Sequence, residues 1–171
     1  MIAMHKSIRP YRRLWGFDSF RGLPDEQEGL QIEGRHWLRG GFSTQGALHA
    51  HSAEHAMSEV RDRVGNERAS LVMGFFNESL PARNVQDHRV ALLVDIDSDL
   101  YVSAKQALTW LFRNRLAQPG TLIRYDDWND DSSWGEAKAH REITEEYSVR
   151  WRSFGLNEFE ILSASRGPRG A

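Results

Sequence analysis

The sequence predicts an α/β fold built on a mostly parallel sheet. Short apolar runs that are typical of buried strands alternate along the chain with segments that have the periodicity of amphipathic helices. This alternation favours parallel strands joined by right-handed crossover connections. The last two predicted strands are separated by only a few residues around Gly155, so they should run antiparallel. A chain of 171 residues, 1–171, is expected to form a single domain.

The elements follow from local patterns along the chain. The predicted strands cover residues 14–18, 71–73, 90–97, 121–126, 149–154 and 159–162, with the first four in one sheet. The predicted helices lie near residues 52–64, 103–116 and 135–147. Ser52 is a predicted N-cap, and Ser103 with Gln106 and Ser133 with Glu136 are predicted capping boxes. Residues 25–50 are Gly-rich and predict a loop or lid, and residues 166–171 predict a flexible tail.

The composition is that of an ordinary globular protein. Hydrophobic residues make up 40% of the chain and charged residues 27%, and the formal net charge of −2 argues against a nucleic-acid binder. No apolar run approaches the ~20 residues of a membrane-spanning helix. The basic N-terminus lacks the apolar core of a signal peptide. Because cysteine is absent, disulfides and thiolate metal sites are excluded. We therefore expect a cytoplasmic protein with neither a nucleic-acid nor a membrane partner.

The predicted strand at residues 90–97 carries the main functional signal. It opens with five consecutive apolar residues, which predict a buried strand covered on both faces, and it ends with Asp95, Asp97 and Asp99. Alternation along a strand would place these acids on one side for as long as the strand lasts. Open α/β sheets bind ligands at the carboxyl ends of their strands. Three close carboxylates repel each other unless a cation or a donor-rich ligand lies between them. A ligand or metal role is therefore favoured over a solvated strand end.

A second acidic pair follows the next predicted strand. Asp126 and Asp127 come directly after residues 121–125. Neighbouring strands lie about 4.8 Å apart, so Asp97 would meet this pair at one sheet edge if the two strands are neighbours. Hard oxygen ligands of this kind suit Mg²⁺. The alternative is that Asp126 only caps the following loop.

Two other groups of residues admit both a functional and a structural interpretation. Phe75 and Phe76 could form an aromatic wall for a flat ligand, but the residues alone favour a core position. His51 and His55 are spaced for one helix face and could hold a metal. Ligand spacing alone is a weak motif, so a solvated helix start is favoured for these histidines.

Four stretches of the sequence resemble the successive motifs of the macrocin/mycinamicin O-methyltransferase family. They are LWGFDSFRGLPDE, GFFNESLP, VDIDSDLYVSAKQAL, and YDDW followed by GEAKAHREI, and together they cover residues 14–148. Members of this family are class I S-adenosylmethionine-dependent methyltransferases. The resemblance therefore implies a Rossmann-like sheet that is mostly parallel, with an antiparallel last strand.

The resemblance also implies roles for individual residues. Asp97, Asp126 and Asp127 correspond to the divalent-metal ligands of the family, for which we expect Mg²⁺. Asp18 corresponds to the acid that contacts the cofactor ribose, and the region after residues 71–73 corresponds to the part that approaches the adenine. The expected cofactor-binding residues are Asp18, Ser19, Phe75, Phe76 and Asp97, and the expected catalytic residue is Asp97.

One part of the family pattern has no counterpart. Such enzymes begin with a strand and a Gly-rich turn that approaches the methionine part of the cofactor, and nothing before Leu14 matches them. That first strand normally lies in the middle of the sheet, between the second and fourth strands. The sequence therefore predicts an N-terminally truncated domain whose sheet has two open rows of hydrogen-bonding groups. Such a gap predicts a homo-oligomer.

The leading functional hypothesis is a metal-assisted methyl transfer to the hydroxyl of a small molecule, such as a sugar or a natural-product glycoside. One acid of the cluster, or a nearby histidine, would act as the base. The alternative from another class is a non-catalytic methyltransferase remnant or ligand-binding module, which the missing Gly-rich turn favours. A metal-dependent nucleotide-sugar transferase with Asp97 and Asp99 as its acidic pair is a third hypothesis, and the second pair at Asp126 and Asp127 argues against it.

Overall fold

The computed structural model describes residues 13–34, 37–65, 69–82, 88–129, 131 and 133–165. The predictions for the N-terminal residues 1–12 and for the tail at 166–171 lie outside these ranges. The strands are β1 (Leu14–Asp18), β2 (Ala69–Met73), β3 (Leu93–Ile96), β4 (Leu122–Tyr125), β5 (Arg150–Ser153) and β6 (Glu158–Ser163). The helices are α1 (Thr44–Ala47), α2 (Ala53–Val64), α3 (Phe76–Ser79), α4 (Tyr101–Arg113) and α5 (Gly135–Glu146).

The strands form two hydrogen-bonded sheets. β1 and β2 pair in parallel, and the second sheet has the order β3-β4-β6-β5. β3 pairs with β4 in parallel, whereas β6 runs antiparallel to both of its neighbours, as expected for the last strand. The prediction that the first four strands share one sheet is wrong, because no ladder joins β1 to β3 among the described residues. In sheet order the break falls between β1 and β3, where the resemblance locates the first strand of the family.

Aromatic packing connects β1 to the rest of the molecule beside this break. The ring of His88 lies 4.3 Å from that of Trp15 on β1 and 5.3 Å from that of Trp110 on α4, measured between centroids. Phe17, also on β1, contacts Trp110 edge-on at 5.7 Å. Aromatic rings bury large areas and prefer such tilted and edge-on contacts. Side-chain packing therefore joins β1 to the rest of the molecule at this break, whereas backbone hydrogen bonds join neighbouring strands within each sheet.

β3 is shorter and less buried than the sequence predicts. The strand begins at Leu93, and the apolar side chains of Val90, Leu92 and Leu93 are 50%, 68% and 55% exposed. Five apolar residues in a row predict a strand that is covered on both faces, but among the described residues β3 has one strand neighbour, β4. The register nevertheless sets Ile96 opposite Tyr125, so β3 and β4 end side by side.

The main core lies where α4 and α5 pack on the larger sheet. The predicted apolar stripe of α4 is confirmed, since Ala104, Leu108 and Phe112 are buried at intervals of four residues. On α5, Ala139 and Ile143 are fully buried and continue to Tyr147 just beyond the helix, as the periodicity predicts. These two helices therefore fix the position of the carboxyl ends of β3 and β4.

Helix α4 is capped by a residue that is distant in sequence. It begins at Tyr101, so the predicted capping box of Ser103 and Gln106 is wrong, and Ser103 is buried in the first turn. Instead, the carboxylate of Glu26 accepts hydrogen bonds from the backbone N–H groups of Tyr101 and Val102 at 2.7 and 3.0 Å. A negative charge is favourable at a helix N-terminus. This contact ties the loop that follows β1 to α4.

We expect the contact between α4 and α5 to weaken in acid because of Glu142. Burial alone would raise the pKa of Glu142, but hydrogen bonds from Lys138, Tyr101 and Lys105 lower it from 4.5 to about 2. An acid with a depressed folded-state pKa stabilises the protein above its unfolded pKa, and that contribution is lost as the pH falls through the folded value. Glu142→Gln should therefore lower the free energy of unfolding at pH 7 by roughly 1 kcal/mol.

In urea denaturation at a series of pH values, Glu142→Gln should also flatten the loss of stability between about pH 4.5 and pH 2. Glu145→Gln, at an exposed position on the same helix, is the matched control and should keep the wild-type profile. A Glu142→Gln profile parallel to that of the wild type would contradict this account.

Candidate active site

Three carboxylates meet at the carboxyl ends of β3 and β4. Asp97 follows β3, Asp126 and Asp127 follow β4, and each contributes an oxygen that lies within 4.8 Å of the other two. The parallel register brings them together, and the backbone N–H of Asp126 still donates to Ile96 O at 2.9 Å beyond the ladder. The expected meeting of these acids is therefore confirmed. We call Asp97, Asp126 and Asp127 the acid triad.

Asp95 and Asp99 lie outside the acid triad. The carboxylate of Asp95 forms two hydrogen bonds with the guanidinium of Arg124, at 2.7 and 2.9 Å across the β3–β4 pair. That guanidinium also lies 3.6 Å from Asp126. Asp99 has a φ of 55°, so the chain has already left the extended conformation there. The alternation was expected only while the strand lasts, and β3 ends at Ile96, so it does not extend to Asp99. Of the three acids, Asp97 joins the triad.

Burial and mutual repulsion favour the protonated forms of these acids. Burial raises the pKa of Asp97, and the charges of Asp126 and Asp127 raise it further. Burial raises the pKa of Asp99 to about 7, with further contributions from Asp127 and Asp97. The pKa of Asp127 is also raised, first by burial and then by the charge of Asp126. A cation placed among such groups would remove the repulsion that raises their pKa values.

Glu136 connects the two loops that carry the triad. Its side chain is fully buried, and its two oxygens accept hydrogen bonds from the backbone N–H groups of Ser98 at 3.1 Å and Asp127 at 3.0 Å. Ser98 directly follows Asp97, so one carboxylate sets the separation of both loops. Burial raises the pKa of Glu136 to about 8, although the bonds from Ser98 and Asp127 act in the opposite direction.

Sequence reasoning missed this role of Glu136. The prediction of a capping box with Ser133 is wrong, because α5 begins at Gly135 and the Glu136 carboxylate reaches other loops. The helical periodicity of α5 did contain a signal that Glu136 is buried. Glu136 lies three and seven residues before Ala139 and Ile143, so it extends the apolar stripe of α5. A glutamate on the buried face of a helix indicates a side chain with internal partners.

A cavity of about 720 Å³ adjoins the triad, a volume within the usual range of ligand sites. Its wall contains all the residues that the resemblance assigns to the cofactor, namely Asp18, Ser19, Phe75, Phe76 and Asp97. Asp99 and Asp127 also line it, as do residues of the 25–50 segment. The fold therefore brings together side chains that are distant in the sequence, such as Asp18 and Asp127.

The end of β1 fixes Asp18 at the edge of this cavity. Its carboxylate accepts a hydrogen bond from the backbone N–H of Phe20 at 2.6 Å. Burial raises the pKa of Asp18, and this hydrogen bond partly opposes the shift. The hydroxyl of Ser19 accepts from Arg21 N and donates to Gly22 O, at 3.0 and 2.9 Å, and so closes the turn. Local hydrogen bonding thus orients both residues at a strand end, where ligands of such sheets bind.

Phe75 and Phe76 are not core residues. Both are only partly buried and line the cavity, so the core interpretation that the residues alone favoured is wrong. They lie where β2 passes through Gly74 into the one-turn helix α3, which the sequence did not predict. Gly74 has a φ of 134°, a conformation that L-residues rarely adopt, and this turn directs the chain along the cavity wall.

The histidines that the structure describes do not line this cavity. His140 is largely buried against Tyr125, with Nδ1 3.0 Å from the phenol oxygen, and burial lowers its pKa to about 4. Ser52 accepts from His55 N at 3.2 Å, which confirms the predicted N-cap of α2. Within the described ranges, only the acid triad has the arrangement of a metal site, so the structure does not support zinc at His51 and His55.

Replacing Glu136 by Gln should loosen the triad. The change conserves volume but replaces one acceptor oxygen by an amide group that must face a backbone N–H donor. We expect a loss of about 1–3 kcal/mol in the free energy of unfolding, because a buried donor is left without its partner. Hydrogen exchange should become faster at the amides of Ser98 and Asp127 while Ile161 stays protected.

Glu28→Gln, at an exposed loop position, should change neither the stability nor the exchange rates. Unchanged protection of both Ser98 and Asp127 in Glu136→Gln would show that Glu136 does not hold the loops.

Comparisons with known proteins agree with this geometry. The family model described as macrocin-O-methyltransferase (TylF) matches residues 1–149. Among solved structures, the O-methyltransferase NovP aligns with a TM-score of 0.59 and 20% identity, over 90% of this chain and 60% of NovP. Apo CalS11, a TDP-rhamnose 3′-O-methyltransferase of calicheamicin biosynthesis, aligns with a TM-score of 0.47 and 23% identity, over 91% of this chain and 60% of CalS11. No curated protein matches the sequence.

The family model establishes the family, and the likeness to NovP establishes the fold. The likeness to NovP shows a methyltransferase-type α/β fold, and this chain spans 60% of the length of that structure. No helix formed by the described residues is long and apolar enough to cross a membrane. The family match includes both acidic strand ends and the segment that holds Asp18. On this evidence the chain belongs to the macrocin O-methyltransferase (TylF) family.

Proposed function

We propose that this protein is an S-adenosylmethionine-dependent O-methyltransferase that acts on a hydroxyl of a small molecule, either a sugar or a natural-product glycoside. The observation that carries the proposal is the cavity of about 720 Å³, which joins Asp18, Phe75 and Phe76 to two members of the acid triad, Asp97 and Asp127. The family match supports O-methyl transfer as the reaction. The solved structure NovP, which has the same fold, is itself described as an O-methyltransferase.

In this proposal the part of the cavity formed by the smaller sheet binds the cofactor. The Asp18 carboxylate accepts hydrogen bonds from the ribose hydroxyls, with Ser19 beside it, and Phe75 and Phe76 pack against the adenine. Both aromatic side chains are only partly buried, so their rings are available to a flat ligand. S-adenosylmethionine supplies the methyl group when it is bound there. Asp97, which lines the same cavity, marks where the acceptor hydroxyl would lie.

The acid triad fits a divalent cation, and we propose Mg²⁺. Its three carboxylates offer hard oxygen ligands within 4.8 Å of one another, the donor type that Mg²⁺ prefers. The raised pKa values of Asp97 and Asp127 reflect burial and charge repulsion, and a cation would relieve the second. A cation held there would lower the pKa of an acceptor hydroxyl. Asp97 belongs to the triad and also lines the cavity, so we assign it as the catalytic residue that takes up the hydroxyl proton.

The segment at residues 25–50 is proposed to act as a lid within one partial methyltransferase domain. Arg39 and Phe42 line the cavity, and Arg39 pairs with Asp25 at 2.8 Å. Both side chains of that pair are more than 60% exposed, so it closes the cavity only weakly. Glu26 anchors the start of the segment on α4. We place the protein in the cytoplasm, which its cysteine-free composition allows.

We also propose that the protein forms a homo-oligomer. β1 and β3 each have a hydrogen-bonding edge without a strand partner among the described residues. Exposed apolar side chains at Val90, Leu92 and Leu93 lie beside the edge of β3. Open strand edges with apolar neighbours favour association with another chain.

The break between the two sheets favours a second candidate, a ligand-binding module without catalysis. The cavity takes one wall from each sheet, so cofactor and acid triad stay aligned only if the two sheets keep a fixed relative position. Among the described residues, loop and side-chain contacts hold them there in place of a shared ladder.

Both candidate functions, the methyltransferase and the ligand-binding module, require cofactor binding in the larger cavity. Only the methyltransferase would also convert substrate to product. Isothermal titration calorimetry of the full chain should detect S-adenosylhomocysteine binding. Asp18→Asn should weaken it about tenfold through loss of a charged hydrogen-bond acceptor. Asp62→Asn, on the exposed face of α2, should leave the affinity unchanged. Formation of S-adenosylhomocysteine from S-adenosylmethionine and glycoside acceptors would establish the enzyme. Binding without turnover would favour the module, and no binding would contradict both.

The melting temperature should rise as Mg²⁺ is added, because a ligand that binds only the folded state stabilises it by mass action. Asp97→Asn and Asp126→Asn should each abolish this dependence, and relief of repulsion should raise the melting temperature of the metal-free protein. The control Asp62→Asn should respond to Mg²⁺ as the wild type does. If neither Mg²⁺ nor Mn²⁺ at millimolar concentration shifts the wild-type melting temperature, the triad is not a working metal site.

A further inference from the structure

The side chain of Arg124 lies beside the acid triad. Its guanidinium is 3.6 Å from a carboxylate oxygen of Asp126. The larger cavity contacts the triad through Asp97 and Asp127, and a smaller cavity of about 300 Å³ contacts it through Asp126. Among the residues that the structure describes, Arg124 is not one of those that line either cavity. Arg124 can therefore act on the triad by its charge, without contact to a ligand in either cavity.

Asp95 fixes the position of this guanidinium. Nε and Nη2 of Arg124 donate to the two carboxylate oxygens of Asp95 at 2.7 and 2.9 Å. The side chains of Arg124 and Asp95 are 41% and 39% exposed, and most exposed ion pairs contribute little to stability. A two-bond contact between a guanidinium and a carboxylate is an exception, because its planar geometry holds both groups in one orientation.

The strand register directs Arg124 towards the triad. β3 and β4 set Asp95 directly opposite Arg124. Side chains alternate along a strand, so Arg124 and Asp126 lie on the same side of β4. The pairing with β3 continues past the ladder, since the backbone N–H of Asp126 donates to Ile96 O at 2.9 Å. The backbone therefore holds the guanidinium next to Asp126 rather than next to the other members of the triad.

A fixed positive charge at this position has opposite effects on the metal-free and the metal-bound triad. Burial raises the pKa of Asp97 and of Asp127, and the charge of Asp126 is the next cause in both cases. A guanidinium beside Asp126 offsets part of this repulsion when no cation is bound. It repels a divalent cation held by the same carboxylates.

We infer that Arg124 is a built-in counter-ion of the acid triad, which stabilises the metal-free site and lowers its affinity for a divalent cation. Arg124 is a positioning residue in this role, because it acts through Asp126, and Asp95 holds it in place. The inference rests on the proposed metal site and adds what sets the affinity of that site. The triad is then expected to bind a cation more weakly than the three carboxylates alone would.

Binding of Mn²⁺ to the full chain tests this role. Mn²⁺ prefers the same oxygen ligands as Mg²⁺, and free aqueous Mn²⁺ gives an electron paramagnetic resonance signal that is lost on binding. Arg124→Gln removes the charge and should tighten Mn²⁺ binding about tenfold at low ionic strength. Added salt should reduce this difference, because it screens charges near the surface. Arg124→Lys keeps the charge and should return the affinity towards that of the wild type.

Arg152→Gln is the matched control. Arg152 also pairs with an acid across two strands, at 3.3 Å from Glu160, but it lies on β5, which β6 separates from β4. The substitution changes the net charge of the chain by the same amount and should leave the Mn²⁺ affinity unchanged. Equal tightening in Arg152→Gln and Arg124→Gln would show a general effect of net charge and would overturn the inference.

Urea denaturation in the presence of EDTA tests the effect on the metal-free site. Arg124→Gln should lower the urea midpoint, because the pair with Asp95 is lost and the charge of Asp126 is no longer offset. In the Asp126→Asn background the same substitution should lower the midpoint by less, since that charge is already absent. Equal losses in the two backgrounds would show that Arg124 does not act on Asp126, and would overturn the inference.

The outcomes separate this inference from the proposed function. If the wild type binds Mn²⁺ and Arg124→Gln binds it equally or more weakly, the counter-ion role is wrong and the metal site stands. If neither protein binds Mn²⁺, the metal site and the inference both fail, while S-adenosylhomocysteine binding still tests the cofactor cavity. If only Arg124→Gln binds Mn²⁺, the guanidinium blocks the triad, so the inference holds and the proposed metal-assisted reaction fails.

Discussion

The arrangement of the site depends on one carboxylate that bridges two backbone N–H groups. Each oxygen of Glu136 accepts one bond, at 3.1 Å from Ser98 and 3.0 Å from Asp127, so neither oxygen can be replaced by a donor. The side chain is fully removed from water, where an unpaired acceptor or donor is costly. The two bonds therefore act as a fixed spacer between the ends of β3 and β4. The separation of the triad carboxylates follows from this spacer and from the parallel register of the two strands.

The spacer also explains how two cavities come to share one set of acids. Asp97 and Asp127 face the larger cavity, whereas Asp126 lines the smaller one beside Asn129. Consecutive residues after a strand project to different sides. The pair at the end of β4 can therefore serve both cavities while Glu136 holds its loop.

The geometry of the site also depends on the contacts that cross the break between the two sheets. One wall of the larger cavity belongs to β1 and the turn after β2, while the acids belong to the larger sheet. Among the described residues, side-chain contacts hold these parts together across the break. Glu26 caps α4 from the loop after β1, and the rings around His88 pack β1 against Trp110. Both contacts use side chains on α4, or its N-terminus, so this helix aligns the two halves of the cavity.

The sequence by itself determined the features that depend on neighbouring residues or on alternation of strands and helices. Acids after two successive crossover strands predicted the meeting of Asp97, Asp126 and Asp127, because parallel neighbours end at the same edge. The N-cap of α2 and the stripe of α4 followed from local patterns. Only the tertiary structure decided the partners of Glu136, the capping of α4 by Glu26 and the sheet break. A local pattern specifies which groups need a hydrogen bond, whereas packing of distant segments decides which group supplies it.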